Sequence, residues 1–198
     1  MMQIMNRSKA DSRFMLALCV LILAVVLAGC SGKTGDTEQQ VSEQYDYKGE
    51  LKGNLAHGYG TMHEKGALIY EGEFKDGIIH GQGKLYENNV LKYEGEFKDA
   101  KALGKGIIYS KAGKKMFEGT ITENDGENYQ GTGTLYNEQE EPVYQGEVSV
   151  KGSKVDFAAK GKILYPNGAV FYNGELKDGM PAGKGTYYDP EGNILENN

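Results

Sequence analysis

The chain has 198 residues, 39% of them hydrophobic and 25% charged, and it combines 29 Gly and 14 Tyr with only 4 Pro. Its formal net charge is −6, and both arginines, Arg7 and Arg13, lie near the N-terminus. An acidic chain with almost no arginine lacks the planar clamp that grips phosphates in pairs, which argues against nucleic acid or anionic headgroups as partners.

Met1 to Arg13 is a short, net positive start, and Phe14 to Leu27 (FMLALCVLILAVVL) is an unbroken apolar run of 14 residues. That layout is a secretory signal, with a run too short to span a bilayer comfortably. The ending Leu27-Ala28-Gly29-Cys30 resembles the lipobox of bacterial lipoproteins. The resemblance implies a helical signal segment, residues 1–29, cut before Cys30, and a diacylglyceryl group on the Cys30 thiol. The chain would then be held by lipid at the extracytoplasmic face of a bacterial cell membrane. Losing the first 29 residues removes three basic and one acidic side chain and leaves a net charge of −8. Cys19 lies within the leader, so the remaining chain has one cysteine and no internal disulfide.

Residues 30–44 are the lipidated cysteine and a linker. Ser31 to Gln44 (SGKTGDTEQQVSEQ) has Val41 as its one aliphatic residue, the composition of a disordered tether.

From residue 45 onward the sequence repeats. Tyr47, Tyr70, Tyr93, Phe117, Tyr144 and Tyr172 each precede x-Gly, at spacings of 23, 23, 24, 27 and 28 residues. The glycines are Gly49, Gly72, Gly95, Gly119, Gly146 and Gly174, and an apolar residue follows two positions later each time: Leu51, Phe74, Phe97, Ile121, Val148 and Leu176. Aromatic, glycine and apolar residues at steps of two predict a half-buried strand. Lys75-Asp76-Gly77 and Lys177-Asp178-Gly179 then signal tight hairpin turns. A second segment follows, built on Gly-x-Gly in every copy but the fifth, which has Ala159-Lys160-Gly161. The glycines are read as space in which rings from the neighbouring strand lie flat on the backbone. A two-residue turn at Asp76-Gly77 predicts Phe74 opposite Ile79 and Tyr70 opposite Gly83. Pro142, Pro166 and Pro190 fall 24 residues apart, at turns between copies.

Six hairpins make twelve strands, and at ~4.8 Å per strand an open sheet of them is about 55–60 Å long. The expected fold is therefore all-β, an elongated single antiparallel sheet over residues 45–198, stabilised mainly between neighbouring copies. The units YEGEFKDGIIHGQGKLY, from Tyr70, and NGELKDGMPAGKGTYY, from Asn173, resemble MORN repeats. That resemblance covers the chain from about Tyr45 and weakens in copies four and five, which carry longer insertions. It implies an elongated sheet used for assembly, protein binding or membrane attachment, and it does not imply an enzyme.

Several residues invite a chemical role. His57 and His80 hold the same place in successive copies, roughly 9–10 Å apart across two strands, too far for one zinc ion without leaning together. Glu123-Asn124-Asp125-Gly126-Glu127-Asn128 is rich in oxygen but lacks acids at the first and last places of a calcium loop. Glu50, Glu73, Glu96, Glu147 and Glu175 form an acidic row, read as a solvated face that keeps a long sheet soluble. No catalytic motif appears, so no catalytic residue, metal, cofactor or small-molecule substrate is expected. Tyr86, Tyr109, Tyr136 and Tyr188 are the candidate contact residues, since partly exposed tyrosine is common at recognition surfaces. The expected function is a non-catalytic lipoprotein that binds or scaffolds an unidentified protein or cell-wall partner. An antitoxin or immunity-type binding protein is the alternative, and cell-wall glycan binding or processing is third.

Overall fold

The computed structural model describes residues 37–40, 45–125, 128–151 and 154–197; the leader, Cys30 and most of the expected linker lie outside them. The described residues contain strands and turns and no helix, and the strands form a single antiparallel sheet. In chain order these are β1 (Thr37–Gln40), β2 (Tyr45–Lys52), β3 (Leu55–Glu64), β4 (Ala67–Lys75) and β5 (Ile78–Glu87). Then come β6 (Val90–Lys98), β7 (Lys101–Tyr109), β8 (Lys115–Asn124), β9 (Asn128–Tyr136) and β10 (Pro142–Lys151). The last are β11 (Lys154–Phe157), β12 (Lys160–Leu164), β13 (Val170–Lys177), β14 (Met180–Tyr188) and β15 (Ile194–Asn197). Each strand pairs with its neighbours in sequence, except that β11 and β12 both pair with β10.

The strand count exceeds the expected twelve for three reasons. β15 follows the sixth hairpin. The return strand of the fifth hairpin is split at Ala158 and Ala159 into β11 and β12. And β1 falls within the stretch read as a linker, where it runs antiparallel to β2 from Thr37 opposite Gly49 to Gln40 opposite Asp46. Thr37–Gln40 shows no apolar alternation, because an edge strand is held by its backbone ladder and needs none.

The turns obey the sequence signal. Asp76 and Gly77 both have positive φ (49° and 87°) and join Lys75 to its partner Ile78, as a two-residue hairpin of right-handed twist requires. Asp178-Gly179 repeats this geometry, and Asp99-Ala100 adopts it with alanine in a left-handed conformation (φ 61°).

Phe74 lies opposite Ile79 as expected, but Tyr70 lies opposite Leu85 rather than Gly83. The two-residue shift comes from a bulge in the middle of the hairpin. Between the pairs Gly72–Gly83 and Phe74–Ile79, the single residue Glu73 faces three, His80, Gly81 and Gln82. Glu50, Glu96 and Glu175 face three residues in the same way in copies one, three and six. A bulge of this kind leaves backbone groups without ladder partners and bends the strand.

Two side chains fill the gap. The Tyr70 hydroxyl donates to the Glu73 carbonyl at 3.0 Å, and the Glu73 carboxylate accepts from the Gln82 backbone N–H at 2.9 Å. Tyr47 with Glu50, Tyr93 with Glu96 and Tyr172 with Glu175 do the same, and their carboxylates accept from Tyr59, Lys105 and Lys184. The acidic row is therefore not simply a solvated face. Four of its five members close the bulge of their own hairpin.

Copy four shows what happens without these residues. Phe117 has no hydroxyl, Thr120 stands in place of the glutamate, and Thr120 pairs directly with Thr132 in a ladder without that bulge. In copy five Tyr144 donates to the Glu147 carbonyl at 3.1 Å, but Ala159 replaces the glycine and is not left-handed, and the Ala158 N–H reaches that same carbonyl.

Glycine serves the bulge at two places. Gly81 has φ 63°, and a Cβ there would come within 2.5 Å of a Glu73 carboxylate oxygen. Gly83 lies beneath the Tyr70 ring, so that a Cβ would sit 2.6 Å from its Cε2. The ring is thereby pressed flat on the backbone and fully buried.

Six rings buried in this way, Tyr47, Tyr70, Tyr93, Phe117, Tyr144 and Tyr172, make the spine of one core along the sheet. In the first three copies Phe74 and Phe97 wedge between them. Phe74 meets Tyr47 at 5.0 Å and Tyr70 at 5.2 Å, and Phe97 meets Tyr70 at 5.2 Å and Tyr93 at 5.0 Å, all edge to face. That is the favoured geometry for aromatic quadrupoles and ties each hairpin to the next.

Two pairs of substitutions test this account by urea denaturation. Gly83→Ala is expected to cost about 2–3 kcal/mol by forcing the Tyr70 ring off the backbone, whereas Ala100→Gly is expected to stabilise by about 1 kcal/mol by relieving a left-handed alanine. Glu73→Ala is expected to cost about 1 kcal/mol, and Glu73→Gln, which keeps an acceptor for the Gln82 N–H, less than half as much.

Candidate functional site

The face opposite the buried rings carries the candidate contact residues. Along β5, Gly83 and Leu85 turn toward the core, so Lys84 and Tyr86 stand on the other face with Glu71 of β4 and Glu94 of β6. A register shift between Leu85 and Tyr86 falls just before the end of β5. Tyr86 is half-buried, and its hydroxyl donates to Glu71 Oε1 at 2.7 Å. Burial, aided by that carboxylate, pushes the phenol up to about 12.

The next two copies repeat the arrangement. Tyr109 donates to Glu94 Oε2 at 3.4 Å and Tyr136 to Glu118 Oε2 at 2.9 Å, and burial raises both phenols. Lys84 Nζ sits between Glu71 at 3.7 Å and Glu94 at 3.9 Å. Lys115 Nζ lies 2.8 Å from Glu118 and 5.0 Å above the Tyr136 ring. The hydrogen bond from Lys115, with that from Tyr136, holds the Glu118 carboxyl below its ordinary range.

Three of the four expected tyrosines thus form one row, each tethered to a glutamate of the preceding strand. Tyr188 does not share the pattern. Asn173 holds the glutamate's place opposite Thr186, and it is the Tyr188 carbonyl that is engaged, by the Tyr165 hydroxyl at 2.9 Å. His63 occupies the equivalent place in copy one, and its Nδ1 is buried without a hydrogen-bond partner.

Tyr59 joins this face without having been singled out from sequence. It is the most exposed ring among the described residues, at 57%, and stands opposite Glu73. Its signal was its position: the middle of Gly58-Tyr59-Gly60 is Gln82, Lys105, Thr132 or Lys184 in the other Gly-x-Gly segments, so an aromatic residue there is the exception.

The other candidates have structural work. His57 Nδ1 accepts from the Asp76 backbone N–H at 3.3 Å, and Asp76 also meets Lys52 Nζ at 3.2 Å, so His57 braces the turn of the next hairpin. Asp125 and Asn128 bond one another across the lengthened turn of copy four. Among the described residues no three His, Cys, Asp or Glu side chains are grouped to hold a metal.

The chain matches the MORN repeat family at residues 47–63, 70–89, 93–115 and 172–194. No curated protein matches it. The four matched segments are copies one, two, three and six, the copies in which tyrosine, glutamate and a left-handed glycine close the bulge together; copies four and five, where that set is incomplete, are not matched. With that set repeated four times along one open sheet, the chain is a MORN-repeat protein.

Proposed function

We propose that this protein is a non-catalytic lipoprotein of the bacterial envelope, anchored through Cys30, whose repeat sheet binds or scaffolds another envelope protein. MORN repeats support a protein-binding or scaffolding module as the general class. The observation that carries the finer reading is the row of Tyr86, Tyr109 and Tyr136. Each is held by a glutamate in one orientation, so that it presents a ring at little further cost in side-chain entropy. A row repeated at the spacing of the hairpins suits a long partner lying across the strands. The opposite face has its rings packed on glycine and, among the described residues, offers no comparable set. Lipid on Cys30 is supported by the Leu27-Ala28-Gly29-Cys30 sequence and would keep this face close to membrane-bound partners.

One set of strains tests both parts. A photo-crosslinking phenylalanine analogue placed at Tyr86 of the full-length chain is expected to give discrete protein adducts in the membrane fraction. The combined variant Tyr109→Ala, Tyr136→Ala is expected to lose them while circular dichroism still reports a folded sheet. Adducts unchanged by those substitutions would remove the tyrosine row as the contact. Cys30→Ser is expected to abolish palmitate labelling and release the chain from membranes, and a variant that stays bound would overturn the anchor.

A further inference from the structure

The edge of β14 departs from every inner edge of the sheet. Wherever one hairpin meets the next, the covering strand brings the same residues in the same register. Met62, Leu85, Ile108, Leu135 and Ile163 lie opposite the buried rings Tyr70, Tyr93, Phe117, Tyr144 and Tyr172. Two residues further along, glycine faces glycine, in pairs such as Gly60–Gly72 and Gly83–Gly95. Two further again, Gly58, Gly81, Gly104 and Gly131 face Phe74, Phe97, Ile121 and Val148. The covering sequence is thus aromatic-x-Gly-x-apolar at each of these four junctions.

β14 presents the matching half, Gly183-Lys184-Gly185 followed by Tyr187. Among the described residues its outer neighbour β15 supplies none of the rest: Glu196 lies opposite Tyr187, where the inner junctions place a buried ring, and the described pairs of β15 are at Thr186, Tyr187 and Tyr188. All four of its residues are exposed, Ile194 at 66% and Leu195 at 63%. Among the described residues no strand covers the outer edge of Met180–Lys184, and Met180 is 67% exposed. Two backbone carbonyls mark what is missing: Ala56 and Ile79 accept from the N–H of Gly77 and Ala100 in the next hairpin's turn, and Pro181 holds their place in β14, opposite Leu176.

We propose that β15 is a displaceable strand, and that the edge of β14 accepts from another protein an extended segment of the pattern aromatic-x-Gly-x-apolar. The incoming ring would lie beside Tyr187, its glycine would face Gly185, and its apolar residue would face Gly183. Strand addition of this kind takes affinity from the backbone ladder and selectivity from alternate side chains. It is a second contact, separate from the tyrosine row.

The test adds a labelled peptide copying Val90–Lys98 (VLKYEGEFK) to the full-length protein in detergent and follows anisotropy and hydrogen exchange. Saturable binding is expected, with new protection at Met180–Gly185 and faster exchange at Ile194–Asn197. A peptide carrying Glu for Tyr93 or Val for Gly95 is expected to bind about tenfold more weakly or worse, and Glu196→Tyr in the protein, which gives β15 the missing ring, is expected to weaken peptide binding by about tenfold. Absence of saturable binding, or binding indifferent to those changes, would overturn the proposal. So would sedimentation showing that a second copy of this chain already occupies the edge and is lost in Glu196→Tyr.

Discussion

The fold depends on a substitution of side chains for backbone. At the middle of a regular hairpin two residues would exchange ladder hydrogen bonds, as Thr120 and Thr132 pair in copy four. In copy two three residues face one, and the separated groups are satisfied by the Tyr70 hydroxyl and the Glu73 carboxylate. The same tyrosine ring is the core. A single residue thereby buries its ring completely and satisfies the carbonyl that the bulge leaves without a ladder partner, and a half-satisfied bulge of this kind would be costly.

In copies one, two, three and six the wide bulge sits within the hairpin, while across the junction the residues around the glycines pair without interruption and a smaller shift falls near the strand end, as between Leu85 and Tyr86. Gly58, Tyr59 and Gly60 pair without interruption with Phe74, Glu73 and Gly72, although Gly58 and Tyr59 are looped out against Glu50. The wide bulge thus falls on the hairpin side of the strands in copies one, two, three and six, while Phe74 and Phe97 lock neighbours together edge to face. The two faces differ in consequence. One is closed by rings on glycine; the other is left to Glu71, Lys84, Tyr86 and their repeats, whose geometry is fixed from beneath by the same register.

Much of this was legible in the residues. The period, the strand at each aromatic-x-Gly, the turn at Asp76-Gly77 and the flat rings over glycine follow from alternation and from the absence of a Cβ. The register at Tyr70 was not legible, because counting outward from a tight turn assumes an uninterrupted ladder, and the two additional residues opposite Glu73 look like ordinary strand. The second duty of the glutamate row was hidden for a related reason: composition marks a carboxylate as solvated, and Glu50 and Glu73 are exposed, but only the place beside a left-handed glycine shows that each also turns back on the chain. β1 escaped notice because Thr37–Gln40 pairs through backbone alone. Of the candidate contacts, Tyr86, Tyr109 and Tyr136 were visible as repeats of one position, but their glutamate partners come from the preceding strand and depend on the register that the bulge sets.

The central claim, that the tyrosines of the spine are sealed on glycine and hold the sheet together, is tested most directly by alkaline titration. Burial raises the Tyr47 phenol from 10.0 to about 12 and those of Tyr70 and Tyr93 further. The folded chain then keeps protons that the unfolded chain has released, so stability is whole below about pH 10 and falls as pH rises beyond it. Tyrosinate absorbance and circular dichroism followed together from pH 8 to 13 should show part of the tyrosine population ionising late and cooperatively, in step with loss of the β signal. Smooth titration of all 14 tyrosines near pH 10, with the sheet intact, would contradict the account.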